Sequence, residues 1–463
     1  MFRNKNIKRM IFPVMISCLL FSCNQPSFEI IKPGSLRCEY LENPMGVDTQ
    51  HPRFTWKLEL LRQGIDQRAY QLFIGTDSAE VASGKGNTWE SGKVRSSVIP
   101  AVYSGSELKP FIRYYWSVRV QDERGKWSAP APVAFFETGM MDPCNWKGSW
   151  ITDTHDYDVK PAPYFRKSFS VAKKVKSARI YIAVGGLYEL SVNGKQTGNQ
   201  RLDPMYTRYD RRTLYVTHDV THNILDGENV IGVLLGNGWF NHQSTAVWEF
   251  NRAPWRARPK FCLDLRISYE DGSDEIISTG NDWKTALSPV IFNSIFTAEH
   301  YDARLEIPGW DTPAFNDEVW KKALCTGAPS VNIVSQVLHP IRNVKELQTA
   351  EMRQTDKQTW LYDFGRNISG VTKISVEGLD HFEAEHEGPY GKIISAWERS
   401  GEKVLYKITI PANSTASLFI NAREIQEIKE DITLKSNNIS EKGERKDFMI
   451  KLTSGNHKFL ISG

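Results

Sequence analysis

The stretch "HFEAEHEG" sets Glu383, Glu385 and Glu387 at alternate positions, with His386 between the last two. On an extended strand alternate residues share a face, so neighbouring carboxylates of the row stand about 7 Å apart. Carboxyl groups at that separation can flank a bond, one protonating the leaving oxygen while the other activates a water. The acid role requires one carboxyl to keep its proton near neutral pH, which takes a desolvating cleft. A bare strand offers no cleft. The residues therefore favour the plainer reading, a solvated face beside a buried Phe382. A second pair, Glu299 and Asp302 in "AEHYDAR", has the residue types for the same chemistry. Outside the N-terminal segment the cysteines are Cys38, Cys144, Cys262 and Cys325. None lies in a CxxC, so a zinc site has no support, and free, buried thiols are expected.

The elements that would position these groups are strands. "YQLFIG" alternates Tyr70, Leu72 and Ile74, and "YYWSVRVQD" alternates Tyr114, Trp116, Val118 and Val120 before a turn at Asp122–Gly125. "ARIYIAVGG" repeats the pattern at Ala178, Ile180, Ile182 and Val184. Asn193-Gly194 and Asp271-Gly272 mark hairpins. Period-two runs separated by such turns, with no amphipathic helix of useful length, predict an all-β array of β-sandwich modules. The expected modules are a fibronectin type III-like sandwich at 35–139 and a jelly-roll-like sandwich at 146–326. A short β-domain at 335–378 and a C-terminal β-sandwich at 379–463 follow. The last is interrupted by a polar loop or ribbon over 423–446.

With 58 basic against 54 acidic residues and no basic block, nucleic acid is excluded as a partner class. The aromatics, 14 Trp and 17 Tyr among them, suit sheet cores and exposed sugar platforms equally. At the N-terminus, Arg3, Lys5, Lys8 and Arg9 precede the apolar run Met10–Phe21. That run is too short to span a bilayer and suits a secretory signal. "LFSC" is similar to a bacterial lipoprotein signal, with residues 1–23 as leader and Cys23 as the acylated residue. The mature chain is thus expected to be exported and lipid-anchored to the cell envelope, in the outer membrane or periplasm.

Several stretches in order resemble the bacterial α-L-rhamnosidases of glycoside hydrolase family 78. They include "LRCEYLENPMGVDTQHPRFTWKL", "ARIYIAVGGLYELSVNGKQTG", "YTRYDRRTLYVTHDVT", "GENVIGVLLGNGWF", "EHYDARLEIPGWDTPAFNDEVWKKA", "YDFGRNISG" and "YGKIISAWE". The resemblance implies inverting hydrolysis of α-L-rhamnosides by two carboxyl groups on an (α/α)6 barrel. That barrel would be placed near Gly378-Leu379, between the concanavalin-like β-domain begun at 335–378 and the closing sandwich. Nothing between Val376 and Pro389 can form it. No catalytic residue is therefore carried over, and this chain alone is expected to be inactive.

The resemblance also implies a carbohydrate-binding role for the N-terminal sandwich, which in some family members holds rhamnose with calcium. Here "GNQRLDP" and "GNGWFNH" supply Asn199, Asp203, Asn237 and Asn241 as oxygen ligands and Trp239 as an apolar platform. Few carboxylates stand in these loops, which weakens the calcium reading. The same residues also read as turn chemistry around a core tryptophan. The expectation is a non-hydrolytic lipoprotein that binds rhamnose-containing glycans. The alternatives are an enzyme completed by a separate catalytic chain, and a remnant without function.

Overall fold

Strands take up 47% of the chain and helices 5%, so the predicted all-β class is what the protein adopts. The computed structural model describes residues 31–60, 66–243, 248–356, 359–371, 381–388, 391–401, 403–412, 414–422, 424–428, 433–434 and 446–462. Contacts divide the chain into two units, Met1–Leu347 and Gln348–Gly463. Among the described residues the longest helix is Ser78–Ala82, a single turn capped by Asp77.

The first unit holds two sandwiches. In the first, a three-stranded sheet (Ile31–Cys38, Arg53–Leu60, Ala101–Val102) faces a five-stranded one centred on Arg113–Gln121. The alternating Tyr114, Trp116, Val118 and Val120 point into a core with Phe54, Leu72 and Phe136. Trp116 and Phe54 pack with ring centroids 4.6 Å apart. In the second, the sheet carrying Leu187–Val192, Gly227–Gly236 and Pro163–Val171 covers the sheet carrying Lys260–Tyr269, Val175–Gly185 and Thr213–Asp219. Ile180, Ile182, Val184, Ile231, Val233, Leu263 and Leu265 are wholly buried between them. Asn193 and Gly194 form the two-residue turn joining Val192 to its partner Lys195. Both have positive φ, as that turn type demands.

One carboxylate fastens the two sandwiches together. Half-buried Asp48 accepts hydrogen bonds from Tyr215 Oη (2.5 Å), Met141 N (2.9 Å) and Ser335 N (2.9 Å). Beside it, Arg179 reaches from the second sandwich to Glu137 of the first at 2.7 Å. The four cysteines outside the N-terminal segment are free as expected. Cys38 and Cys262 are buried, but Cys144 and Cys325 stand exposed, on a 3-10 turn and a two-residue edge strand that no sheet covers.

In the second unit a six-stranded sheet includes His381–Gly388, Gly391–Ser400, Lys403–Ile410 and Gly455–Ser462. A two-stranded sheet, Ala416–Ala422 with Lys446–Leu452, packs over part of it. A separate hairpin pairs Glu351–Gln354 with Trp360–Asp363, and every residue of it is exposed.

Candidate functional site

The loops singled out in the second sandwich do come together, but through residues other than those expected. After the strand Gly227–Gly236 the chain turns at Asn237-Gly238, where Gly238 has φ +50° and a side chain would press on Leu187. The turn is locked by amides. Asn237 N and Nδ2 donate to Asn293 Oδ1 and O at 2.7 and 3.1 Å. Asn241 Nδ2 donates to Asn237 Oδ1 at 3.0 Å, and Asn241 Oδ1 accepts from Arg256 Nε at 3.0 Å. Both asparagines are buried, and both side-chain oxygens are already engaged.

That arrangement does not suit calcium. A cation at Asn241 would face the Arg256 guanidinium that its oxygen already accepts from. Among the described residues no group of three or more His, Cys, Asp or Glu could hold a metal ion. Asn199 is exposed on the neighbouring loop. Asp203 is buried, its Oδ1 accepting from Gln336 Nε2 at 2.9 Å and its Oδ2 without a partner. Burial pushes its carboxyl above the usual range.

Trp239 projects from this locked turn, half-buried, into a cradle of rings. Its centroid lies 5.1 Å from Phe250, 5.4 Å from Phe296, 5.8 Å from Tyr206 and 6.2 Å from Trp248. Three of these are open to solvent: Trp248 by 77%, Phe296 by 51% and Tyr206 by 48%. Contiguous exposed aromatics are costly in water and mark binding surfaces. Behind them, His242 is only 1% exposed, 5.6 Å from both Trp239 and Phe296, and neither ring nitrogen has a hydrogen-bond partner. Burial and the nearby Arg256 hold its imidazole below the usual range, hence neutral. A neutral imidazole can donate from one nitrogen and accept at the other. Sequence reasoning found Trp239 but missed Tyr206, His242, Trp248, Phe250 and Phe296. They come from three separate connections, 202–212, 237–259 and 295–297, with no shared period.

Among the described carboxylates, the pair Glu299 and Asp302 lacks an acid partner. Asp302 is held down to about 2 by hydrogen bonds from the Arg304 side chain, so it stays ionised and cannot act as an acid. Glu299 lies exposed in the strand Ala298–Tyr301. Glu383 is exposed, and the strand register sets it in line with Ala396, Lys407 and Lys458. Glu385, His386 and Glu387 sit further along the same strand, with their side chains outside the described residues, as Cys23 is altogether.

Three family profiles match the chain in order. They describe the Rha78A-like N-terminal immunoglobulin domain (33–142), the α-L-rhamnosidase N-terminal domain (173–345) and the bacterial α-L-rhamnosidase C-terminal domain (371–435). The chain belongs to the α-L-rhamnosidase family. An α-L-rhamnosidase of Alteromonas sp. is 31% identical over 82% of this chain and 43% of its own length. One from Formosa agariphila is 30% identical over 76% of this chain and 39% of its own. The solved α-L-rhamnosidase of Dictyoglumus thermophilum superposes at a TM-score of 0.66 with 31% identity, covering 93% of this chain and 47% of that one. This family member thus spans less than half the length of each of these three relatives. The described residues of this family member contain no helix longer than five residues, and so no helical barrel.

Proposed function

We propose that this member of the α-L-rhamnosidase family is a non-hydrolytic, carbohydrate-binding lipoprotein. It takes rhamnose-containing glycans on the aromatic cradle around Trp239 and is held to the cell envelope by a lipid on Cys23. The observation that carries the binding role is the half-buried Trp239 ringed by solvent-open Trp248, Phe296 and Tyr206. An indole face accepts the C–H side of a pyranose ring, and the rigid ring loses little entropy on doing so. Hydrolysis is not part of the proposal, because, of the two carboxylates of the stretch Ala298–Arg304, Glu299 lies exposed and Asp302 stays ionised.

The test is titration calorimetry of the purified chain against a rhamnose-rich polysaccharide and a rhamnose-free one. Binding to the first should weaken about ten-fold in Trp248→Ala, a loss of ~1.4 kcal/mol. Trp248 is so exposed that its removal should leave the melting temperature unchanged. Equal affinity of wild type and variant, or no preference between the polysaccharides, would refute the assignment.

A second reading, in which a separate catalytic chain completes an enzyme, draws on the hairpin Glu351–Gln354/Trp360–Asp363. Two strands exposed on both faces are marginal in water and gain from a covering partner. Co-purification with a helical-barrel protein that restores α-L-rhamnoside turnover would establish it.

A further inference from the structure

The second unit carries a trough of about 270 Å³, lined by Trp397, Arg399, Val404, Tyr406, Leu418 and Ile420. Its origin is a mismatch of sheet widths. The face of the six-stranded sheet that looks inward carries Val404, Tyr406, Ile408, Phe459 and Ile461, which meet Leu418, Ile420 and Ile450 of the two-stranded sheet. Two strands cannot cover six. Where cover ends, Trp397 stands directly opposite Tyr406, and Arg399 directly opposite Val404. Trp397 and Arg399 are two residues apart on one strand and so share that face.

Arg399 breaks the apolar pattern of the face. Inward-pointing charges protect open sheet edges, and its strand, Gly391–Ser400, is paired at Arg399 with Val404 of Lys403–Ile410 but with His381–Gly388 only as far as Glu398. Among the described residues its guanidinium has no ion-pair or hydrogen-bond partner. The Tyr406 hydroxyl is 2.7 Å from Ser395 Oγ and keeps hydrogen-bonding capacity to spare. A flat indole, a phenol and a guanidinium therefore line one open slot. Its volume falls just below the range of drug-sized pockets, which sizes it for about one sugar ring.

We propose that this trough is a second glycan subsite, one that takes an acidic sugar residue: a uronate ring lying on Trp397 with its carboxylate on Arg399. Carbohydrate is the ligand class because the chain belongs to a glycan-acting family. The charge selects the acidic sugar, since guanidinium–carboxylate pairs are bidentate and roughly twice as strong as neutral contacts. The openness of the slot lets a polymer run through it. The site lies in a different unit from Trp239 and does not depend on that cradle.

The test is titration of the full purified chain with a short oligogalacturonide and with its methyl ester, which keeps the ring and removes the charge. The free acid should bind at least ten-fold more tightly than the ester, and the preference should shrink as salt rises. Arg399→Gln, at an exposed position, should fold normally and bring the acid down to the level of the ester. Trp397→Phe should weaken both together. Trp248→Ala, in the other unit, should change neither, which separates failure of this subsite from failure of the cradle. Equal affinity for acid and ester, or an Arg399→Gln variant with unchanged preference, would overturn the proposal. So would a concentration-dependent dimer that Arg399→Gln dissolves, which would make the trough a protein contact.

Discussion

His218 lies in the strand Thr213–Asp219, opposite Ile180, with Nε2 2.7 Å from the Tyr188 hydroxyl. Burial holds its imidazole down to about 4, against an ordinary 6.5. The folded chain therefore keeps this ring neutral while the unfolded chain protonates it below pH 6.5. Between pH 6.5 and 4 the unfolded state binds more protons, so stability falls as pH falls through that window, by on the order of 3 kcal/mol in all. Asp48, Asp203 and Glu189, whose carboxyls burial raises, act in the opposite sense. A comparison with His218→Gln isolates the histidine. Its melting temperature should fall less steeply than that of wild type between pH 6.5 and 4, as followed by circular dichroism. Parallel curves would show that the buried ring carries no such linkage.

At the scale of elements, the second sandwich hangs its central hairpin on Asn229. This buried side chain accepts from Leu225 N and Asn193 Nδ2 and donates to Leu225 O and Gly227 O, each at 2.8 Å. Asn229→Ala leaves those groups unsatisfied and should cost about 3 kcal/mol in urea denaturation. Gly272, in the other marked turn, has φ +83° and open space around it. Gly272→Ala should cost only about 1 kcal/mol, the strain of the left-handed backbone. Both turns were legible in the sequence, because Asn-Gly and Asp-Gly between alternating runs have few other uses. So were the core strands, as the buried Ile180, Ile182 and Val184 show. The strand Ala69–Gly75 was read only in part. Tyr70, Leu72 and Ile74 were visible as a face, but Phe73 is buried on the other side too. The candidate site was the least legible. Trp239 announced itself beside a glycine turn, whereas Tyr206, Trp248, Phe250 and Phe296 reach it from loops whose meeting depends on tertiary folding. Asn237 and Asn241 had the chemistry of ligands, yet they are spent on holding the turn.

For the whole molecule, the expectation is binding without turnover. The purified chain should leave an aryl α-L-rhamnoside at the buffer rate, since proton transfer and positioning each contribute large, separate factors. A rate well above buffer that Glu385→Gln abolishes would mean that a new site has formed on the strand His381–Gly388. Expressed in a bacterium, the chain should fractionate with membranes, and Cys23→Ala should release it or block its maturation. Equal solubility of the two after leader cleavage would remove the lipid from the account.

The bond between Asp48 and Ser335 N spans 287 positions of the chain. With the proposed lipid tether at one end and the proposed glycan grip at the other, the chain would be put under tension whenever the polymer drifts. Pulling between residues 48 and 335 would be resisted at that bond and its neighbours to Met141 and Tyr215. The sheets bearing Trp239 belong to the loop of chain that the bond closes. Mechanical load would thus pass around the binding surface instead of through it, and the grip would outlast the pull until the Asp48 clasp gives way.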